Sequence, residues 1–95
     1  MGELFFNLYR KGGFSRTISI LSELDGNQAE ESDFFKLIRE RGYYLNDFYR
    51  VKDDMLESGI ISYKLNEDYE KVLYLTEKGS EIKKYLEEIE KILQK

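Results

Sequence analysis

Apolar residues change their spacing directly after Gly59 and again near residue 77. Before Gly59 they recur at steps of three and four residues, the spacing that gives a helix one buried face. After it a two-residue period, typical of strands, covers two short segments: residues 60–66 alternate apolar and polar side chains, and residues 71–76 place apolar side chains on both faces. The polar segment between the strands predicts a turn, so the two form a β-hairpin. The helical spacing returns over residues 77–94.

Four helices are predicted before the hairpin, and a polar loop over residues 27–31 joins the second to the third. The predicted helices cover residues 3–11, 15–25, 32–41 and 46–58. Residues that commonly cap a helix N-terminus are Ser15, Ser32, Asn46 and, for the helix after the hairpin, Thr76. Glycines at positions where helices commonly end are Gly12, Gly13, Gly42 and Gly59.

This order of elements predicts the fold class. The chain is mainly α with a small β-hairpin, in the arrangement of a winged helix-turn-helix domain with extra N- and C-terminal helices. A length of 95 residues fits one domain. Residues 1–13 form the N-terminal helix, 14–76 the winged-helix core and 77–95 a C-terminal dimerisation helix.

The C-terminal helix carries an apolar stripe that predicts a homodimer. Its apolar residues recur at steps of four, three and four, as in a coiled-coil seam. Two heptads alone are marginal, so the aromatic N-terminal helix is expected to contribute. The residues expected at the dimer contact are Leu4, Phe5, Leu8, Ile82, Leu86, Ile89 and Leu93. The alternative is that the C-terminal helix packs back against the N-terminal helix within one chain.

Composition narrows the chemistry that this chain can perform. Cysteine and histidine are both absent, which removes disulfides, thiolate metal sites and most catalytic dyads and triads. We therefore expect no enzyme, no metal and no cofactor. No apolar run approaches the roughly 20 residues that span a bilayer, and the first residues do not have the order of a secretory signal. We expect a cytoplasmic protein without a membrane partner.

Two segments resemble a known family. "FYRVKDDMLESGII", residues 48–61, resembles the recognition-helix segment of PadR-, MarR- and ArsR-type winged-helix transcriptional regulators, with Tyr49, Arg50 and Gly59 among the matching positions. "YLTEKGSEIKKYL", residues 74–86, resembles their exit from the wing, where Leu-Thr-x-x-Gly leads into a C-terminal helix. The resemblance implies a homodimeric transcriptional regulator that lays helix 46–58 into the major groove of DNA.

The candidate DNA contacts lie on the helix 46–58 and around it. Arg50 suits a guanine or a phosphate, and Asn46 an adenine or a backbone oxygen, unless Asn46 serves only as the helix cap. Tyr49 either contacts phosphate or packs against the neighbouring helix. Arg16, Lys64 and Lys71 are further candidates for phosphate contacts. Asp53 is the one acid of this helix expected among them, where it either accepts a hydrogen bond from a cytosine amine or repels phosphate.

Charge leaves two functions open. We expect a dimeric, sequence-specific protein that binds double-stranded DNA and regulates transcription by occluding an operator. However, the net charge is −4, and the loop "NEDYEK" at the hairpin tip is acidic where a DNA-binding wing typically carries Arg or Lys. The alternative is therefore a winged-helix module for protein–protein interaction in a larger assembly, without direct DNA reading.

Overall fold

The computed structural model describes residues 3–95. They form five α-helices, one short 3-10 helix and one three-stranded antiparallel sheet. In chain order the elements are α1 (Glu3–Tyr9), α2 (Gly12–Ser22), the 3-10 helix (Asp25–Asn27), β1 (Gln28–Glu30), α3 (Glu31–Glu40), α4 (Leu45–Glu57), β2 (Ile61–Leu65), β3 (Lys71–Leu75) and α5 (Glu77–Leu93). The prediction of a mainly helical chain with a small β-hairpin is confirmed.

The sheet has the strand order β1-β3-β2, with β3 in the middle. Ile61 lies opposite Leu75 and Tyr63 opposite Leu73, so these side chains share the face that turns toward the helices. Ile61 and Leu73 are fully buried there. β1 pairs with β3 from the other side, and Ala29 lies opposite Leu73.

β1 corrects the prediction of a polar loop over residues 27–31. Three residues are too few to show an alternating pattern, and all three are only half-buried. Their strand conformation comes from hydrogen bonds to β3, more than forty residues away in the chain. Local sequence could not reveal that pairing.

One hydrophobic core joins the helices to the sheet. Phe34 of α3 and Phe48 of α4 meet edge to face at its centre, with ring centroids 5.0 Å apart. Both are buried, as are Val51 and Met55 one and two turns further along α4. The predicted buried stripe of helix 46–58 is confirmed by these residues, because a spacing of three and four keeps them on one face.

α2 begins three residues earlier than predicted. Gly12 and Gly13, expected to end the first helix, form the first turn of α2, and Ser15 is therefore no cap. Gly13 is buried where α2 crosses the first turn of α4. A Cβ atom at this position would lie 2.2 Å from the carbonyl oxygen of Asp47. The glycine thus permits the two helix backbones to touch.

The caps predicted for the next two helices are also wrong. α3 begins at Glu31, before Ser32, and α4 begins at Leu45, before Asn46. Neither helix has a side chain bonded to its first N–H groups. The predicted stops are right at Gly42 and Gly59, which adopt the left-handed conformation at φ 78° and 76°.

Thr76 caps α5 as predicted and also connects it to the end of α4. Its Oγ1 accepts a hydrogen bond from the N–H of Gly79 at 3.0 Å. The same hydroxyl lies within donor distance of the carbonyl oxygens of Gly59 and Ile60, the latter at 3.0 Å. A Cβ at Gly79 would lie 2.3 Å from the oxygen of Ile60. Threonine and glycine at this spacing therefore lock α5 against the start of β2.

The residues expected at a dimer contact fall into three groups that differ in burial. Leu8 is 2% exposed and belongs to the core of its own chain. Phe5, Ile82 and Leu86 are half-buried against that core. The side chains that remain exposed are Leu4, Ile89 and Leu93. Within residues 3–95, no helix has the length and apolar composition that crossing a membrane requires.

Candidate nucleic-acid interface

The outward face of α4 carries four polar side chains in one row. Each residue of an α-helix turns by about 100°, so positions four, seven and eleven residues after Asn46 return to its face. These are Arg50, Asp53 and Glu57, and all four side chains are exposed. Phe48, Val51 and Met55 point the opposite way into the core. Among the described residues, no other element covers this row.

Arg50 is the one cation in this row. Among the ion pairs within residues 3–95, none involves Arg50. The N-cap residue of α4 is Tyr44, two residues before Asn46, and no side-chain cap bond is formed there. The Asn46 side chain is therefore available as well. The two acids, Asp53 and Glu57, leave the row with one positive and two negative charges. The row can therefore donate hydrogen bonds to bases but attracts phosphate weakly.

Tyr49 lies on the flank of α4 that faces α3. Its ring centroid is 5.9 Å from that of Phe35 and 6.0 Å from that of Phe48, yet the side chain is 49% exposed. The ammonium of Lys52 lies 5.8 Å from the same ring. The packing interpretation of Tyr49 thus holds in part, since the ring lies against Phe35 while about half of the side chain is exposed. Its contact with phosphate stays a prediction.

The opposite flank of α4 is joined to α2 by ion pairs. Arg16 Nη1 lies 3.3 Å from Asp47 Oδ2, and the guanidinium stacks 4.3 Å above the ring of Tyr43. Lys11 Nζ lies 3.9 Å from Asp54 Oδ2. Arg16 is therefore held within the chain by a carboxylate and an aromatic ring, which makes it a helix-docking residue more than a free phosphate contact.

The two lysines of the hairpin lie on opposite faces of the sheet. Lys64 pairs with Val72, and Lys71 pairs with Leu65, so their side chains alternate across the strands. Lys71 shares the face of Tyr63, with its ammonium 5.4 Å from that ring. Lys64 lies 5.3 Å from the ring of Tyr74 on the other face. The predicted pair of phosphate contacts is thus split, and only Lys71 lies on the side of α3.

Tyr63 connects the hairpin to the start of α3. Its hydroxyl donates a hydrogen bond to Glu31 Oε2 at 2.7 Å. Burial raises the pKa of the Tyr63 phenol, and the hydrogen bond and negative charge of Glu31 raise it further. The phenol therefore remains a donor throughout the neutral range, and it fixes the hairpin at a defined angle to α3 and α4.

The hairpin tip forms an acidic patch with the start of α3. Glu70 raises the pKa of Glu30 most, followed by burial, Asp33 and Asp68, while a hydrogen bond from Asn66 lowers it. Asn66 also accepts hydrogen bonds from the N–H groups of Asp68 at 2.9 Å and Glu70 at 3.0 Å. The tip is thus an ordered loop whose carboxylates repel one another. Such a loop does not attract a phosphate backbone.

The six candidate DNA contacts therefore separate into distinct surfaces. Asn46 and Arg50 share the outward face of α4, and Tyr49 lies beside them. Lys71 lies on the α3 side of the hairpin, whereas Lys64 points away and Arg16 is paired with Asp47. The pairing of Arg16 could not be found from sequence spacing, because the two partners are 31 residues apart.

Comparison of the chain with protein-family models, curated proteins and solved structures finds no match. Within the part of the chain that the structure describes, no group of three or more carboxylates is placed to hold a metal ion. The function of this site is therefore argued from its geometry and charge.

Proposed function

We propose that this chain is a winged helix-turn-helix domain that binds double-stranded DNA as a homodimer and regulates transcription by occluding an operator. The element order supports the proposal, because α3 and α4 form a short-linked helix pair and the β2–β3 hairpin follows directly. In helix-turn-helix proteins the second helix of such a pair enters the major groove. Gly42, in the left-handed conformation, makes the connection between the two helices compact.

The observation that carries this proposal is the uncovered row on α4. Asn46 and Arg50 lie one turn apart on a face that no other part of residues 3–95 covers. Arginine matches the acceptor pair of guanine, and asparagine matches the donor and acceptor of adenine. A recognition helix needs such exposed side chains on a rigid support, and the buried residues Phe48, Val51 and Met55 supply that support.

Charge sets the expected strength of binding. Arg50 and Lys71 are the cations best placed to contact phosphate, which gives about two contacts per subunit and four per dimer. Each neutralised phosphate contributes about −0.9 to the slope of log K against log salt, so we expect a slope of roughly −3 to −4. Asp53 opposes the same contacts because it lies in the row with Arg50.

The test compares two substitutions in this row, one that removes a positive charge and one that removes a negative charge. Random duplexes of about 30 base pairs, long enough for two half-sites one helical turn apart, are selected for binding at about 100 mM salt. The enriched duplex is then titrated with each variant by fluorescence anisotropy. We expect Arg50→Ala to weaken binding by about tenfold or more and Asp53→Asn to strengthen it, since removing an acid removes repulsion.

The hairpin lysines provide a matched control. Lys71→Ala should weaken binding and shift the salt slope by about one unit per contact, whereas Lys64→Ala on the opposite face should leave both unchanged. Failure to enrich any duplex would contradict the proposal. Equal effects of Arg50→Ala and Lys64→Ala, or weaker binding by Asp53→Asn, would contradict it as well.

The acidic patch favours one alternative, a protein-interaction module that does not read DNA. Asp68 and Glu70 of the hairpin tip lie close to Glu30 and Asp33 at the start of α3, and this acidic patch suits a basic surface on a partner protein. In this case a partner isolated with the wild-type chain should lose affinity when Asp68 and Glu70 are changed to their amides. For a DNA-binding domain the same double substitution should increase DNA affinity, so the direction of the change separates the two functions.

A further inference from the structure

The outer half of α5 carries apolar side chains that are largely exposed. Tyr85, Ile89 and Ile92 are 59%, 47% and 68% exposed. At about 100° per residue they lie within about 60° of one another around the helix axis. Ile82 and Leu86 lie at the edge of this stripe and turn toward the core. The exposed stripe is thus continuous with the buried face of α5.

Charged residues border the stripe on the side away from the body of the chain. They are Glu77, Glu81, Lys84, Glu88, Lys91 and, after the last turn, Lys95. Their order is not random: each acid lies as far from Leu86 on one side as a lysine lies on the other. Glu81 and Lys91 are five residues from Leu86, and Lys84 and Glu88 are two residues from it. Glu77 and Lys95 are nine residues from it.

We propose that α5 pairs with the α5 helix of a second copy of this chain, antiparallel and centred on Leu86. A two-fold axis at Leu86 places Glu81 of one copy opposite Lys91 of the other. It places Lys84 opposite Glu88 in the same way. Because such an interface is isologous, each pair occurs twice. This arrangement deepens the homodimer part of the proposed function, and none of its tests uses DNA.

The apolar side chains fit the same centre. Around an axis at Leu86, the positions of Ile82, Tyr85, Ile89 and Ile92 in one helix fall between those of the other helix, so the two rows interdigitate. The two Tyr85 rings lie next to each other at the middle. The pairing thereby covers an apolar stripe that would be exposed to solvent in the isolated chain.

The partner helix also reaches the first helix of the chain. With the centre at Leu86, the partner's Leu93 lies level with Gly79, beside α1. An apolar cavity of about 130 Å³ opens there between α1 and α5, lined in part by Leu4, Phe5 and Ile82. This cavity gives the partner's last turn an apolar environment, and it explains why exposed apolar residues occur on both terminal helices.

A parallel pairing does not have this complementarity. A two-fold axis parallel to the helices brings the charged border of one α5 opposite the other border of its partner. That other border lies against α2 of its own chain, where Lys83, Glu87 and Glu90 line a groove with Ser19. The symmetric order of acids and lysines around Leu86 therefore brings no opposite charges together in a parallel pair.

Cross-linking at introduced cysteines tests the orientation, and the natural chain has no cysteine to interfere. Glu81→Cys and Lys91→Cys variants, one carrying a size tag, are mixed and treated with a short bis-maleimide. We expect a cross-link between the two different variants. Neither variant alone should cross-link efficiently, because ten residues separate the two copies of each position by about 15 Å along the axis. Cross-linking of each variant with itself, or none in the mixture, would overturn the proposal.

Charge reversal tests the register independently. Glu81→Lys and Lys91→Glu each create two like-charge contacts per homodimer, so each variant alone should dimerise about tenfold more weakly than wild type in sedimentation equilibrium. Mixed together, the two variants form opposite charges at both contacts, and the heterodimer should regain wild-type affinity. Both positions are exposed, and circular dichroism verifies that the fold is kept. A mixture that dimerises no better than its components would overturn the proposal, as would a wild-type chain that stays monomeric at high micromolar concentration.

Discussion

Gly13→Ala is expected to destabilise the chain through a contact that no sequence pattern reveals. Gly13 lies in the first turn of α2 against the first turn of α4, and an added Cβ would be 2.2 Å from the Asp47 carbonyl oxygen and 2.6 Å from its carbonyl carbon. Ordinary contacts to a Cβ begin near 3.4 Å. The two helices would therefore have to separate by about 1 Å at this point, which also loosens the ion pair between Arg16 and Asp47.

The magnitude follows from two opposing effects. Overpacking of a closely packed contact costs about 1–3 kcal/mol. Replacing glycine by alanine in a helix returns at most about 0.5–1 kcal/mol, less in a first turn. We therefore expect a net loss of about 1.5 kcal/mol in the free energy of unfolding. For a domain of this size that lowers the melting temperature by roughly 6–12 °C.

The neighbouring glycine is the control. A Cβ at Gly12 would meet only the Arg16 guanidinium, at 3.2 Å, and that flexible side chain can move aside. Gly12→Ala should thus keep or slightly raise the melting temperature measured by circular dichroism, with urea titration giving the free energy of unfolding. If Gly13→Ala proves as stable as Gly12→Ala, the close approach of α2 and α4 is not as described.

Three further predictions concern the sheet and its connection to α5. Gly79→Ala should cost about 2 kcal/mol or more in a urea titration, because its Cβ would lie 2.3 Å from the Ile60 carbonyl oxygen; an unchanged midpoint would contradict this packing. Tyr63→Phe should lower the free energy of unfolding by about 1 kcal/mol, since it removes the hydrogen bond to Glu31. Because the pKa of Tyr63 is raised, the wild type should also lose stability above pH 10 more steeply than this variant. Glu30→Gln should be more stable than wild type at pH 7 in thermal melts. The pKa of Glu30 is raised above its ordinary value of 4.5, so protonation of Glu30 stabilises the wild type. This stabilisation is complete below pH 4.5 and is lost as pH rises through the raised pKa. The stability advantage of the variant should therefore shrink on acidification. An advantage that grows on acidification would refute this sign.

The fold was predictable wherever local rules determine it. The alternating period of residues 60–66 and 71–76 located β2 and β3, and the three- and four-residue spacing located the buried face of α4. Thr76 could be assigned as a cap because its partner, Gly79, is three residues away. These features depend on neighbours in the chain, which a sequence displays directly.

The rest depended on contacts between distant segments. β1 is a strand only because β3 pairs with it. Gly12 and Gly13 have the composition of a helix stop, yet they form the first turn of α2, where Gly13 leaves room for the backbone of α4. For the candidate site, periodicity predicted the row that contains Asn46 and Arg50. It could not predict that α4 uses Asp47 to hold Arg16.

α5 is attached to the end of α4 at Thr76, so a small change of angle at this residue becomes a large displacement at the far end of the helix. One hydroxyl group holds the start of this helix against the carbonyl oxygens that follow α4. α5 is 17 residues long, about 25 Å, so a rotation of about 10° at Thr76 moves its far end by about 4 Å. The angle at Thr76, together with the packing of Ile82 and Leu86 on the core, therefore sets the distance between α4 and anything bound to the far end of α5. A substitution at Thr76 should change that distance even where it leaves both helices intact.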